Sequence, residues 1–126
     1  MRVSFNTKSF RILLIFVIGL VSVSTVPLLS KAEPSSSVSI VNNSSRPIEH
    51  VYFSHVGADD WSGNVLESEI GSGQSSTISN FSCDAEQMRV IGEDVDGCFL
   101  YSTVTCGSST TWTITNSTAR DCGNSN

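Results

Sequence analysis

One stretch of this chain gathers the side chains that could do chemistry. Ser54-His55-Val56-Gly57-Ala58-Asp59-Asp60-Trp61-Ser62-Gly63-Asn64-Val65-Leu66 brings together a histidine, two adjacent carboxylates, a tryptophan and an amide. Four uses compete for His55, Asp59, Asp60, Trp61 and Asn64. Asp59, Asp60 and Asn64, with Glu67 or Glu69, could supply oxygens to Ca²⁺, a hard cation that suits acidic exported proteins. Their spacing is not that of the helix–loop–helix calcium loop. Trp61, with Tyr52 or Tyr101, could form an exposed aromatic platform for a sugar or a peptide. His55, with Asp59 or Asp60, could activate a serine. The structural use is simpler: Trp61, Val65 and Leu66 plug the open end of a β-structure, while Asp59 or Asp60 caps backbone amides of the following turn.

Catalysis finds little local support. His50 and His55 are the two histidines, and no nucleophile elbow marks any of the many serines. His50 shares a strand with Tyr52 and reads as a surface or boundary residue. Paired acids for glycoside hydrolysis occur throughout so acidic a chain and discriminate nothing. There is no phosphate loop and no thioredoxin-type cysteine pair. Asp94-x-Asp96-Gly97 resembles the start of a calcium loop without the rest, and a hairpin tip accounts for it. Trp112, beside Ile114, belongs to the core. No cofactor is implied beyond the Ca²⁺ that the 55–66 loop would take.

The compartment follows from the N-terminus. Arg2, Lys8 and Arg11 precede an apolar run from Ile12 to Val23, and Ser30-Lys31-Ala32 offers small residues at −3 and −1 of a cleavage site. That is a secretory signal peptide over residues 1–32. A membrane anchor would need roughly 20 apolar residues, and this run is shorter. The mature chain, Glu33 to Asn126, keeps all twelve carboxylates and three arginines, for a net charge of −9. Such a body repels nucleic acid and anionic membranes, while cations, neutral sugars and basic proteins remain as partners. The chain is expected to be secreted or periplasmic, meeting a protein or carbohydrate outside the cytoplasm.

The elements that must position the loop read as strands. Residues 33–37 form a polar flexible leader, and Val38, Ile40 and Asn42 alternate with Ser37, Ser39 and Val41. A turn over 42–47 leads to a β-branched and aromatic run, 48–54. After the long connection 55–73 come strands at 75–81, 87–93, 98–106 and 110–116, with one helical turn near 65–70. Residues 117–126 form a polar tail that trails over the surface. Short strands with turn signals between them predict one all-β domain over 38–116, an antiparallel β-sandwich, Ig-like or similar, of about six strands.

Four cysteines in an exported chain predict two disulfides. Their spacings contain no Cys-x-x-Cys, which argues against zinc. With Asp94 to Gly97 as hairpin tip, facing residues sum to about 191, and Cys83 lies opposite about position 108, beside Cys106. The turn at Gly107-Ser108 then brings the end of the last strand alongside Cys98, with Cys122 following. The predicted bridges are Cys83–Cys106 and Cys98–Cys122.

Val51-Tyr52-Phe53-Ser54, then Asp59 or Asp60, Trp61, Asn64 and Leu66, and later Cys83, Asp96-Gly97 and Cys106, carry a resemblance. The chain resembles a group of small exported bacterial β-proteins without a settled function. Their pattern is Val/Leu-Tyr-x-Ser, a gap, then Asp-x-Trp-Gly-x-Asp/Asn-x-Leu, followed by a Cys-bounded acidic hairpin. The chain departs from it at Ser62, where glycine is usual, and in the extra pair Cys98 and Cys122. The resemblance implies a fold more than an activity. Glycosylation patterns at Asn42, Asn43, Asn80 and Asn116 matter only in a eukaryote, which the bacterial resemblance argues against. The sequence therefore points to a non-catalytic exported binding or structural module. A Ca²⁺-binding module is the alternative, and a small secreted hydrolase is third.

Overall fold

The computed structural model describes Pro27, residues 35–79 and residues 81–123. Apart from Pro27, the expected signal peptide lies outside the described residues, as do the first two residues of the leader. The described chain is all-β: β1 (Ser37–Asn43), β2 (Ile48–His55), β3 (Ser75–Ile78), β4 (Gln87–Asp94), β5 (Phe99–Thr105) and β6 (Ser109–Thr115). They form two three-stranded sheets, β3-β1-β6 and β2-β4-β5. Alternation explains the packing, because successive side chains of a strand point to opposite faces. Val38 and Ile40 of β1, Trp112 and Ile114 of β6, Val51 and Phe53 of β2, Met88 and Val90 of β4 and Leu100 and Val104 of β5 are buried in one core between the sheets.

The sandwich is antiparallel except at one place. β6 pairs with β1 in parallel, Ser37 facing Ser109 through Asn43 facing Thr115. The expected route of the last strand, alongside Cys98, is therefore corrected. After Gly107, whose φ of 78° only glycine adopts easily, the chain crosses to the other sheet. Both disulfides form as expected, Cys83–Cys106 and Cys98–Cys122. It is the tail that reaches Cys98: Asp121 bridges Phe99 on β5 through two backbone hydrogen bonds of 2.7 and 2.8 Å. The two disulfides fit an oxidising compartment outside the cytoplasm.

The hairpin register is one residue away from expectation, with Glu93 facing Phe99 and Gln87 facing Thr105. The turn is longer than its tip suggests. Asp94 N–H donates to the Cys98 carbonyl at 3.0 Å, and Gly97, at φ 75°, absorbs the extra residue as a bulge. No helical turn forms at 65–70; residues 62–65 instead run beside β2, and Ile70 bridges Ile48.

Two buried polar side chains lock the connections. Asn42 is fully buried, and its amide donates to the Arg46 and Ile70 carbonyls at 2.8 Å each. Its oxygen accepts from the Ser44 N–H and hydroxyl, so no polar atom of that side chain is left unmet. Asp94 accepts from the Asp96 and Cys98 N–H groups and from Arg120 Nε at 2.7 Å. Burial pushes its carboxyl up, but the Arg120 guanidinium and the two N–H donors outweigh that and hold it below the usual range.

Candidate functional site

The loop after β2 folds back along the strand it leaves. β2 lies at the edge of its sheet, so alternate N–H groups face outward without a strand to receive them. Val51 N–H donates to Asn64 Oδ1 at 3.0 Å, Phe53 N–H to Ser62 Oγ at 2.9 Å, and His55 N–H to Asp60 Oδ1 at 3.0 Å. Residues 51, 53 and 55 are thus met by side chains at 64, 62 and 60. In return Ser62 N–H and Val65 N–H donate to the Phe53 and Val51 carbonyls. The Asp-x-Ser-x-Asn spacing has period two because it substitutes for a missing strand, oxygen by oxygen.

Asp60 therefore caps backward onto β2, not forward onto the next turn as expected. Trp61 does not plug the end of the sandwich; it stands beside Tyr52, the neighbour that the platform alternative gave it. Its ring sits 5.6 Å from Tyr52 and, edge-on, 5.2 Å from Phe99. Tyr52 and Phe99 belong to β2 and β5, the strands on either side of β4, so the indole spans the outer face of that sheet. Ile91, on β4 between Tyr52 and Tyr101, points away from the central core yet is fully buried. Arg89 completes this outer layer, donating to Ser54 Oγ and the Ala58 carbonyl with its guanidinium 5.5 Å from the Tyr101 ring centre. Val65 and Leu66, by contrast, pack against the central core as expected.

His55 is held from both sides. Its Nδ1 contacts Asp60 Oδ2, and its Nε2 lies 2.7 Å from Asp84 Oδ1. Hydrogen bonds to Asp60, then to Asp84, raise the imidazole pKa, and His55 in turn lowers both carboxyls. The three groups tie the end of β2, the strap and the segment next to Cys83. Asp59 is exposed and makes no hydrogen bond or ion pair among the described residues. Among the described residues no three His, Cys, Asp or Glu side chains converge as a metal cluster.

Beside this clamp a cavity of about 300 Å³ opens, lined mainly by Phe53, Phe81, Val65 and Met88, with His55 and Asp60 at its rim. The Phe53 and Phe81 rings stack 4.0 Å apart, nearly parallel. The structure thus brings Asp60, Ser62 and Asn64 onto one strap with His55 beside them at the end of β2, and it turns the Trp61 ring to the opposite face of that sheet. Sequence reasoning missed Asp84, Phe81, Met88 and Phe99. The alternation 60, 62, 64 against 51, 53, 55 was the signal for the strap; nothing local marks Asp84, which arrives through the fold.

No family model matches the chain, and no curated protein does. It is similar to a solved structure described as the NMR structure of the protein from Eubacterium rectale, at 15% identity and a TM-score of 0.47, covering 72% of this chain and 86% of that one.

Proposed function

We propose that the mature chain is a non-catalytic binding module working in the periplasm or medium. Its ligand presents a compact apolar or aromatic group to the Phe53–Phe81 cavity. The observation that carries this reading is the cavity itself: an apolar hollow beside a fixed polar rim is the usual form of a small-ligand site. The non-catalytic part rests on His55. With both ring nitrogens engaged by carboxylates, neither is free to take a proton from a serine. A calcium site on Asp59, Asp60 and Asn64 would have to share oxygens already accepting from His55, Val51 and Leu66.

Titrating ¹⁵N-labelled protein with indole tests the cavity. Amide shifts should cluster at Phe53, Phe81 and Met88 and disappear in Phe81→Ala. Scattered shifts, or none, would defeat it. Turnover of p-nitrophenyl acetate that His55→Ala abolishes would replace the binding module with a hydrolase. A calcium-induced rise in melting temperature that Asp59→Ala/Asp60→Ala removes would replace it with a calcium module.

A further inference from the structure

Three of the four sheet edges differ from the fourth in how they end. The strap covers β2, and Asp121 covers the start of β5. No strand lies beyond β6 among the described residues. β3 faces a groove, formed where the 65–70 segment stands off from it.

The register says which backbone groups face that groove. Asn42 N–H donates to the Gln74 carbonyl at 2.9 Å, which makes 42 and 74 a hydrogen-bonded pair. Antiparallel pairs alternate, so Ile40 with Ser76 and Val38 with Ile78 carry the ladder bonds to β1. Ser75 and Thr77 turn their N–H and C=O groups away, and among the described residues no strand receives them. Two adjoining cavities, of about 270 and 500 Å³, run along this edge and share Ser68 and Ser76. On the far wall, Glu67 and Glu69 are exposed at alternate positions, and the backbone of 67–69 has no partner among the described residues. An extended chain lying here would pair with β3 and pass close to two exposed carboxylates, Glu67 and Glu69.

We propose that this groove binds an extended segment of a basic partner protein, which adds to the sheet as a strand beside β3. Main-chain hydrogen bonds to Ser75 and Thr77 supply the affinity. Cationic side chains at alternate positions meet Glu67 and Glu69, in keeping with a mature chain of net charge −9. This site adjoins the Phe53–Phe81 cavity at Val65, but its binding edge, Ser75 and Thr77, is distinct from that cavity's lining, so the two are tested independently.

The probe is a capped peptide of alternating lysine and valine, with an alternating glutamate and valine peptide as control. Adding the lysine peptide to ¹⁵N-labelled protein should shift the Ser75 and Thr77 amides and slow their hydrogen exchange, leaving Ser76 and Ile78 unchanged. Thr77→Pro removes an outward N–H without touching the β1 ladder, and should weaken binding about fivefold or more, the loss of one main-chain bond. Glu67→Lys/Glu69→Lys should abolish it and admit the glutamate peptide; this variant decides the matter if Thr77→Pro does not fold. Shifts on β6 or at Met88, equal binding of both peptides, or protection of Ser75 and Thr77 by self-association alone would each overturn the proposal.

Discussion

His55 joins three segments through its two ring nitrogens, and its contribution to stability depends on pH in both directions. The imidazole pKa is raised on folding by Asp60 and Asp84, so its share is complete below the unfolded value of about 6.5 and is lost as pH climbs through the higher folded value. The two carboxyls are lowered, so their share is present above about 3.9 and is lost as pH falls through their depressed folded values. The clamp should be intact between about pH 4 and 6.5 and persist somewhat above it. NMR titration should place the His55 midpoint above that of a free histidine, and Asp84→Asn should bring it part of the way back. An unchanged midpoint in Asp84→Asn would mean that the Nε2 contact does not form in solution. The clamp is exposed, so salt should narrow the difference.

At the scale of elements, the strap resolves what an edge strand must otherwise leave open. If Asn64 serves as a surrogate carbonyl, only its oxygen matters. Asn64→Asp keeps the acceptor and should melt near the parent, whereas Asn64→Ala strands the Val51 N–H and should cost about 1–2 kcal/mol. Faster exchange at Val51, with Phe53 little changed, would locate the loss; equal destabilisation by both variants would refute the surrogate role. The same logic separates what was readable from what was not. Strand identity was legible because Val38-Ser39-Ile40 and Thr111-Trp112-Thr113-Ile114 alternate cleanly against one core. The hairpin was legible from Asp96-Gly97, but its register was not, since the bulge at Gly97 adds a residue that composition does not reveal. The parallel β1–β6 pair was hidden because pairing partners distant in sequence leave no local mark. The choice between Trp61 as a plug and Trp61 beside Tyr52 was open for a related reason. A tryptophan next to a strand end serves the core or the outer face equally well until Phe99 arrives beside it.

For the whole molecule, the question is what lets so small and acidic a body stay folded. A domain of this size buries only about 60–70% of its unfolded surface, so crosslinks matter. The bridges join cysteines 23 and 24 residues apart, and chain entropy alone assigns each about 3.5 kcal/mol. By that measure, removing either should lower the melting temperature alike, by roughly 15–25 °C. The two bridges are not equivalent in what depends on them. Cys98–Cys122 holds the 117–123 segment, which delivers Arg120 to the buried Asp94 and Asp121 to Phe99. Cys83–Cys106 instead anchors the segment carrying Asp84, whose contact with His55 is exposed. Arg120→Met in the parent should be clearly destabilising, because Asp94 keeps its charge in a buried place without its cation. Added to Cys83→Ser/Cys106→Ser, that cost should appear undiminished. In Cys98→Ser/Cys122→Ser the segment is already loosened, so Arg120→Met should add much less than it does in the parent, and the bridge deletion itself should exceed its entropic value. A thermodynamic cycle over these variants, read by denaturant unfolding, measures the coupling. Strict additivity would mean that the tail keeps its seat without the disulfide, held by the Arg120–Asp94 pair and the Asp121 backbone alone.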